Sequence, residues 1–297
     1  MRISDIGEFG LIKRFRKSIK LDSSVIKGSG DDCAVIKWDK KNYLLYTCDM
    51  IVEEVDFKAK EDPYLIGRKA LAVSISDIAA CAGVARYAVV SMGFPKSTSV
   101  AKIDQITRGI FDLAKKFKVN IVGGDLSCAD KLIIDVSMLG VVEKNNLILR
   151  SGAKLGDIVF VTGKLGGSIK GKHLRFMPRI KEARYLARHY KINSMIDISD
   201  GFIQDLGHIC EESRMGAIVF EKQIPVNKDA GSIKDALFMG EDFELIFTMP
   251  RKEAVRLLKM KIKGFFLFVE IVDKKYGIKF KDNSEIDLSK NSGFRHF

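Results

Sequence analysis

The chain predicts an α/β fold, of the α+β type, in two domains, and three observations carry that expectation. Apolar runs of strand length alternate with amphipathic helical stretches through nearly all 297 residues. Only five prolines occur, and no Ser-, Gly- or Pro-rich linker or low-complexity tract separates the elements. The texture changes once, at the polar, glycine-containing stretch RSGAKLGD (150–157), after which the alternation resumes. The boundary therefore falls at residue 150, giving domains of residues 1–149 and 150–297, each of ordinary single-domain size.

In the first half, AVIKW (34–38) and YLLYTCDM (43–50) read as strands. Residues 63–82 read as a helix opened by Pro63 and stopped by Gly83. RYAVVSMGF (86–94) is the next strand. Val100, Ile103, Ile106, Ile110, Leu113 and Phe117 recur every three or four residues, which makes 99–118 an amphipathic helix. NIVGG (120–124) and LIIDVSMLGVVE (132–143) follow as strands. In the second half, strands over DIVFVTG, SMIDIS, GAIVFE, FELIFTM and FFLFVEIV alternate with helices over KEARYLARHY, GFIQDLGHICEES and RKEAVRLLKM.

Composition narrows the function classes. With 46% hydrophobic and 30% charged residues the chain reads as a soluble globular protein. The longest apolar region is broken by Asp77 and Arg86, and the start MRISDIGEFGLIKRFRK lacks the apolar core of a signal peptide. A cytoplasmic location and no membrane partner are expected. The five cysteines form no C-x-x-C pair and no two lie closer than fifteen residues, which argues against a zinc site or a disulfide framework. The four histidines are scattered. The net charge of +12 comes from lysines with acids close by, and no basic stripe interleaved with aromatics appears, so no nucleic-acid partner is expected. A basic field also suits anionic small substrates.

The stretch GSGDDCAVI (28–36) sets Asp31 and Asp32 side by side at the mouth of a strand. Alone, the pair reads as a solvated turn. The setting recurs, however. Asp49 ends an apolar strand, Asp77 interrupts an apolar helical face, Asp125 follows two glycines, and Asp197 and Asp200 sit in MIDISDG where a strand feeds a helix. Any one of these reads as a turn or a helix N-cap, Asp77 least easily. Brought together they would repel by roughly 4 kcal/mol per close pair. Hard divalent cations with oxygen ligands remove that penalty, and Mg²⁺ suits carboxylates plus substrate phosphates. The constellation points to several metal ions binding a polyphosphate. GGSIKGKH (166–173) satisfies the spacing of a phosphate loop, but His173 replaces the Ser or Thr that would ligate Mg²⁺, so that reading is rejected.

GSGDDCAV, TCDMIVEEVDF, RKALAVSISDIAACAG, IVGGDLS, RSGAKLGD, MIDISDGFIQDLGHI and GEDFELIFT occur in one order, joined by N-terminal GEFGLI and C-terminal GFRHF. Together they resemble the thiamine-phosphate kinase family of the aminoimidazole-ribonucleotide-synthetase-like (PurM-like) superfamily. The resemblance implies an N-terminal domain that binds ATP and metal and dimerises through a shared β-barrel, with a C-terminal PurM-like domain beside it. It implies ATP- and Mg²⁺-dependent phosphorylation of thiamine phosphate by a homodimer. By position, Asp31, Asp32, Asp49, Asp77, Asp125, Asp197 and Asp200, with Thr47, correspond to the metal site. Gly124, Asp125, Arg150 and Ser199 correspond to ATP contacts, and Asp56, Glu241 and Phe294 to acceptor contacts.

The chemistry agrees, because a phosphate-monoester acceptor is already anionic and needs no general base; none is assigned. Two departures stand out. VEEVDF puts Asp56 where the family usually has a histidine facing the acceptor phosphate, and Cys48 stands where a Ser or Thr often assists a metal. The alternatives are another ATP-dependent enzyme of the superfamily with a different small substrate, or a non-catalytic protein that binds nucleotide or nucleic acid.

Overall fold

In the first domain the period-two pattern of β6 (Ile133–Glu143) buries every second residue from Ile134 to Val142. The protein is described by a computed structural model over residues 2–260, 262 and 264–282. β6 lies inside a six-stranded sheet in the order β1 (Val25–Lys27), β2 (Ala34–Lys37), β3 (Asn42–Val52), β6, β4 (Val84–Phe94), β5 (Asn120–Cys128). All pairings are antiparallel except β4 with β5, which are joined by the crossover helix α3 (Val100–Phe117).

Helix α2 (Pro63–Ala80) covers one face of this sheet, together with α3. Asp62 caps it by accepting from Tyr64 N at 2.9 Å, and Pro63 supplies the fixed φ that suits a first turn. The two helices meet at a pair of glycines. A Cβ on Gly67 would stand 1.9 Å from the Ile106 carbonyl oxygen, and one on Gly109 1.9 Å from that of Tyr64, so no larger residue allows the crossing. On the opposite face of the sheet Tyr46, Met50, Tyr87 and Val89 stay 39–56% exposed.

The second domain is another six-stranded sheet, in the order β12 (Ile278–Phe280), β9 (Met215–Val219), β11 (Phe266–Asp273), β7 (Ile158–Val161), β10 (Leu245–Met249), β8 (Ser194–Asp197). Only β9 with β12 is parallel. β7, β8 and β10 are buried at every residue, which explains their continuous apolar runs. Helices α5 (Ile180–His189), α6 (Phe202–Ser213) and α8 (Arg251–Lys259) follow the predicted segments.

Sequence reading missed the short α4 (Lys172–Arg175), α7 (Ile233–Phe238), β1 and β12, and also α1 (Ile3–Ser18), whose period is broken by left-handed Gly7. The domains meet along α2. Arg184 of α5 pairs with Glu143 and donates to the Ala82 carbonyl, Arg68 donates to the Leu174 carbonyl, and Phe243 stacks on Phe176 within the first domain's core.

Candidate active site

The Asp31–Asp32 turn folds onto the start of the second domain. Arg150 N donates to both Asp31 carboxylate oxygens at 3.2 Å, and its guanidinium donates to Asp32 Oδ1 from Nε at 3.2 Å and Nη2 at 2.7 Å. Asp49 and Thr47 lie on the helix-covered face of β3, where the Thr47 hydroxyl donates to Asp77 of α2. One residue earlier on α2, Ser76 Oγ donates to Asp197 Oδ2 at 2.5 Å, at the end of β8. α2 therefore carries the contact between the acids of the two domains.

Asp32, Asp77 and Asp197 each bring an oxygen within 4.8 Å of the others. Asp32 Oδ2 and Asp49 Oδ2 are buried with no hydrogen-bond partner. Burial, then the Asp32 charge, pushes Asp31 up to about 7 and Asp197 up to about 8. Burial raises Asp49 to about 6, and burial with the Asp49 and Asp197 charges holds Asp77 well above the carboxylate range. Burial pulls the Arg150 guanidinium down, but Asp32 and Asp31 outweigh it and keep the group above its ordinary value. Crowded oxygen donors with orphaned lone pairs fit hard divalent cations such as Mg²⁺, with the Cys81 thiol beside Asp31 and Asp32 and the His208 ring beside Asp200 and Asp205 at the margins of the cluster.

Ser199 and Asp200 follow β8 in a turn that Gly201 permits at φ 121°. Asp205, one turn into α6, accepts from Asp200 N at 3.2 Å and Gly201 N at 3.1 Å and so fixes that turn. Two cavities open on either side of it. One of about 300 Å³ is lined by Arg16, Gly30, Asp31, Arg150, Ser199 and Asp200. The other, of about 160 Å³, is lined by Asp49, Asp56, Lys69, Ser199, Asp200 and Glu241. The two cavities share the 199–200 turn.

At the smaller cavity, Glu241 is left-handed at φ 66° and its carboxylate pairs with Lys69, which is 1% exposed. Asp56 Oδ2 accepts from Val52 N at 2.7 Å, so this carboxylate also closes its own turn. Phe294 lies outside the described residues.

Asp31, Asp32, Thr47, Asp49, Asp77, Asp197, Asp200, Arg150 and Ser199 thus converge, and Asp56 and Glu241 line the adjoining cavity. Gly124 and Asp125 do not join them within one chain. Gly124 is in register with Val90, Val136 and Asp49, three strands across, or about 14 Å at ordinary strand spacing. Asp125 is in register with Ser91 and Asp135 and sits on an exposed strand. Cys48 alternates to the face opposite Thr47 and Asp49, where its thiol lies 3.2 Å from Asp135 Oδ2, so it is not beside the metal cluster.

GGSIKGKH forms no phosphate cradle. The Gly166 N–H is taken by Asp242 Oδ2 at 2.8 Å, and Lys172 faces Glu244 at 3.0 Å. Sequence reading missed Lys69, Ser76 and Asp205. The signal that singled out Asp77, a polar side chain inside an apolar helical run, also marks Lys69 and Ser76 on the same helix.

The sequence matches AIR synthase related protein, N-terminal domain, over residues 30–142 and AIR synthase related protein, C-terminal domain, over residues 138–264. It is 35% identical to thiamine-monophosphate kinase of Buchnera aphidicola subsp. Schizaphis graminum, covering 99% of both chains. It is 34% identical to that of Bacillus subtilis, covering 98% of this chain and 99% of the relative. The solved structure of AaThiL complexed with AMPPCP and TMP superposes with a TM-score of 0.88 at 28% identity, covering 100% of this chain and 99% of that one. A HypE–HypF complex at 18% identity and TM-score 0.75 shares the fold. With both halves of the AIR synthase related pattern present and end-to-end identity above 30%, this chain belongs to the thiamine-monophosphate kinase family of AIR synthase related proteins.

Proposed function

We propose that this chain transfers the γ-phosphoryl group of ATP to thiamine phosphate, giving thiamine diphosphate and ADP. The observation that carries the reading is the convergence of acids from both domains at a single turn, 199–200, with a cavity on each side. Asp31, Asp32, Asp49, Asp77, Asp197 and Asp200, with Thr47, hold the metal ions. Mg²⁺ held by these residues would neutralise phosphate charge during transfer.

Arg150, fixed by Asp31 and Asp32, keeps its remaining guanidinium donors for a phosphate oxygen. Ser199 lines both cavities and orients the phosphates between them. The Asp56 and Glu241 carboxylates attract the cationic thiazolium of the acceptor, and Phe294 offers a ring for it. No side chain takes a proton, because the attacking phosphate oxygen is already anionic. His173, lowered to about 4 by burial and by the Lys69 charge, is neutral and serves no acid role at physiological pH.

The working unit in this reading is a homodimer. Tyr46, Met50, Tyr87 and Val89 form an apolar patch on the sheet face that the helices leave bare. Gly124 and Asp125 reach a metal–ATP site only if that site belongs to a second copy.

Release of ADP from Mg²⁺-ATP tests the function, comparing thiamine phosphate, free thiamine, formylglycinamidine ribonucleotide and no acceptor. Stimulation by thiamine phosphate alone, with thiamine diphosphate as product, is the expected result. Equal release with and without it would overturn the assignment.

A further inference from the structure

The segment that imitates a phosphate loop grips residues 241–244 instead. Gly166 N donates to Asp242 Oδ2 at 2.8 Å, and Ser168 Oγ donates to the Glu241 carbonyl at 2.5 Å. Lys172 Nζ lies 3.0 Å from Glu244 Oε1 and 3.5 Å from Asp242 Oδ1. Arg179 forks onto Glu244 at 2.7 and 2.9 Å, and Thr162 Oγ1 donates to Glu244 Oε2 at 3.0 Å. The gripped backbone is left-handed at Glu241 (φ 66°) and Phe243 (φ 48°). Such a residue persists only where its surroundings over-determine it.

The other domain supplies the last contact. Lys69 Nζ donates to Glu241 Oε1 and to the Asp56 carbonyl at 2.5 Å, and it lies 3.3 Å from His173 Nδ1. His173 Nδ1 also lies 3.3 Å from the other Glu241 oxygen, Oε2, and Lys69 is committed to the Glu241 carboxylate and the Asp56 carbonyl. What it decides is the direction of the Glu241 carboxylate.

We propose that Lys69 and the loop around Ser168 are positioning residues for Glu241, fixing its carboxylate toward the acceptor cavity and thereby setting affinity for a cationic acceptor. The proposal rests on the reading of Glu241 as an acceptor contact. It makes the inter-domain ion pair a determinant of acceptor binding that leaves nucleotide binding alone.

Steady-state kinetics of the full-length enzyme, varying thiamine phosphate and ATP separately, test it. Lys69→Met raises the KM for thiamine phosphate by roughly ten-fold and leaves that for ATP within about two-fold. In a Glu241→Gln background the same change adds less than about two-fold, because Lys69 acts through Glu241. Equal rises in both KM values, or full additivity with Glu241→Gln, would overturn the proposal.

Should Lys69→Met fail to fold, Ser168→Ala decides, since it keeps the ion pair and removes only the bond to the Glu241 carbonyl. It raises the acceptor KM alone, by about three-fold; an unchanged KM contradicts the positioning role. A wild-type enzyme without turnover dependent on thiamine phosphate would sink the functional reading itself, and the proposal with it.

Discussion

The two sides of the site handle negative charge in opposite ways. In the acid cluster, Asp31, Asp32, Asp49, Asp77 and Asp197 crowd together with Arg150 as their main cation, and buried carboxylate oxygens are left without partners. In the 241–244 loop beside the smaller cavity the acids are paired instead, Glu241 with Lys69, and Asp242 and Glu244 with Lys172 and Arg179 between them. The first arrangement is incomplete without positive charge from outside, and the second is complete as folded. One side is built to receive an ion and the other to hold a shape.

The sharpest way to break that contrast is to remove one acid from each side. Asp77→Asn cuts turnover by roughly 100-fold or more, the scale of losing one charge-stabilising group. At pH 8 the same change raises the melting temperature of the metal-free protein, because burial and the Asp49 and Asp197 charges make folding oppose the ionisation of Asp77 that the unfolded chain allows. Glu244→Gln has the reverse effect on stability, about 3 kcal/mol of loss, since Arg179 loses its bidentate partner and Lys172 its nearest carboxylate. Thermal scans of the two variants check both signs, and shifts in the same direction would end the distinction.

A middle-sized effect concerns the second copy. Val89→Glu puts a charge on the bare apolar sheet face; sedimentation should show a monomer that keeps its circular dichroism but loses turnover. A wild-type monomer with full turnover would take the partner out of the account. The smallest effect belongs to Asp56→Asn. Asn retains an oxygen for the Val52 N–H, so the turn survives and the acceptor KM rises by no more than about five-fold.

Much of this was legible in the sequence, for reasons that differ by region. The first-domain strands alternate cleanly because one sheet face packs on α2 and α3, and the predicted 132–143 is observed as Ile133–Glu143. The acid cluster was readable because aspartates at strand ends and inside a helix lack ordinary structural reasons to be there. The 241–244 loop was not, since Ser168 and Arg179 are common residue types whose meaning arises only when segments distant in sequence meet, and the Lys69 partner becomes visible only when the two domains pack. Asp125 shows a further limit. Its motif is plain, but one chain leaves it on an exposed strand.

The acid cluster, with Arg150 as its main cation, holds more negative than positive charge once its carboxyls ionise. Folding raises Asp49 to about 6, Asp31 to about 7 and Asp197 to about 8, against an ordinary value of 3.8. Between about pH 4 and pH 8 the native state therefore binds more protons than the unfolded chain, and these groups make stability fall as pH rises. Cation binding replaces those protons. The most direct measurement is the melting temperature at pH 5 and pH 8, with and without Mg²⁺ and a non-hydrolysable ATP analogue. The expected result is a lower value at pH 8 in the absence of metal, and a gain from Mg²⁺ and analogue that is large at pH 8 and small at pH 5. Equal metal-free values at both pH, or a gain independent of pH, would contradict it.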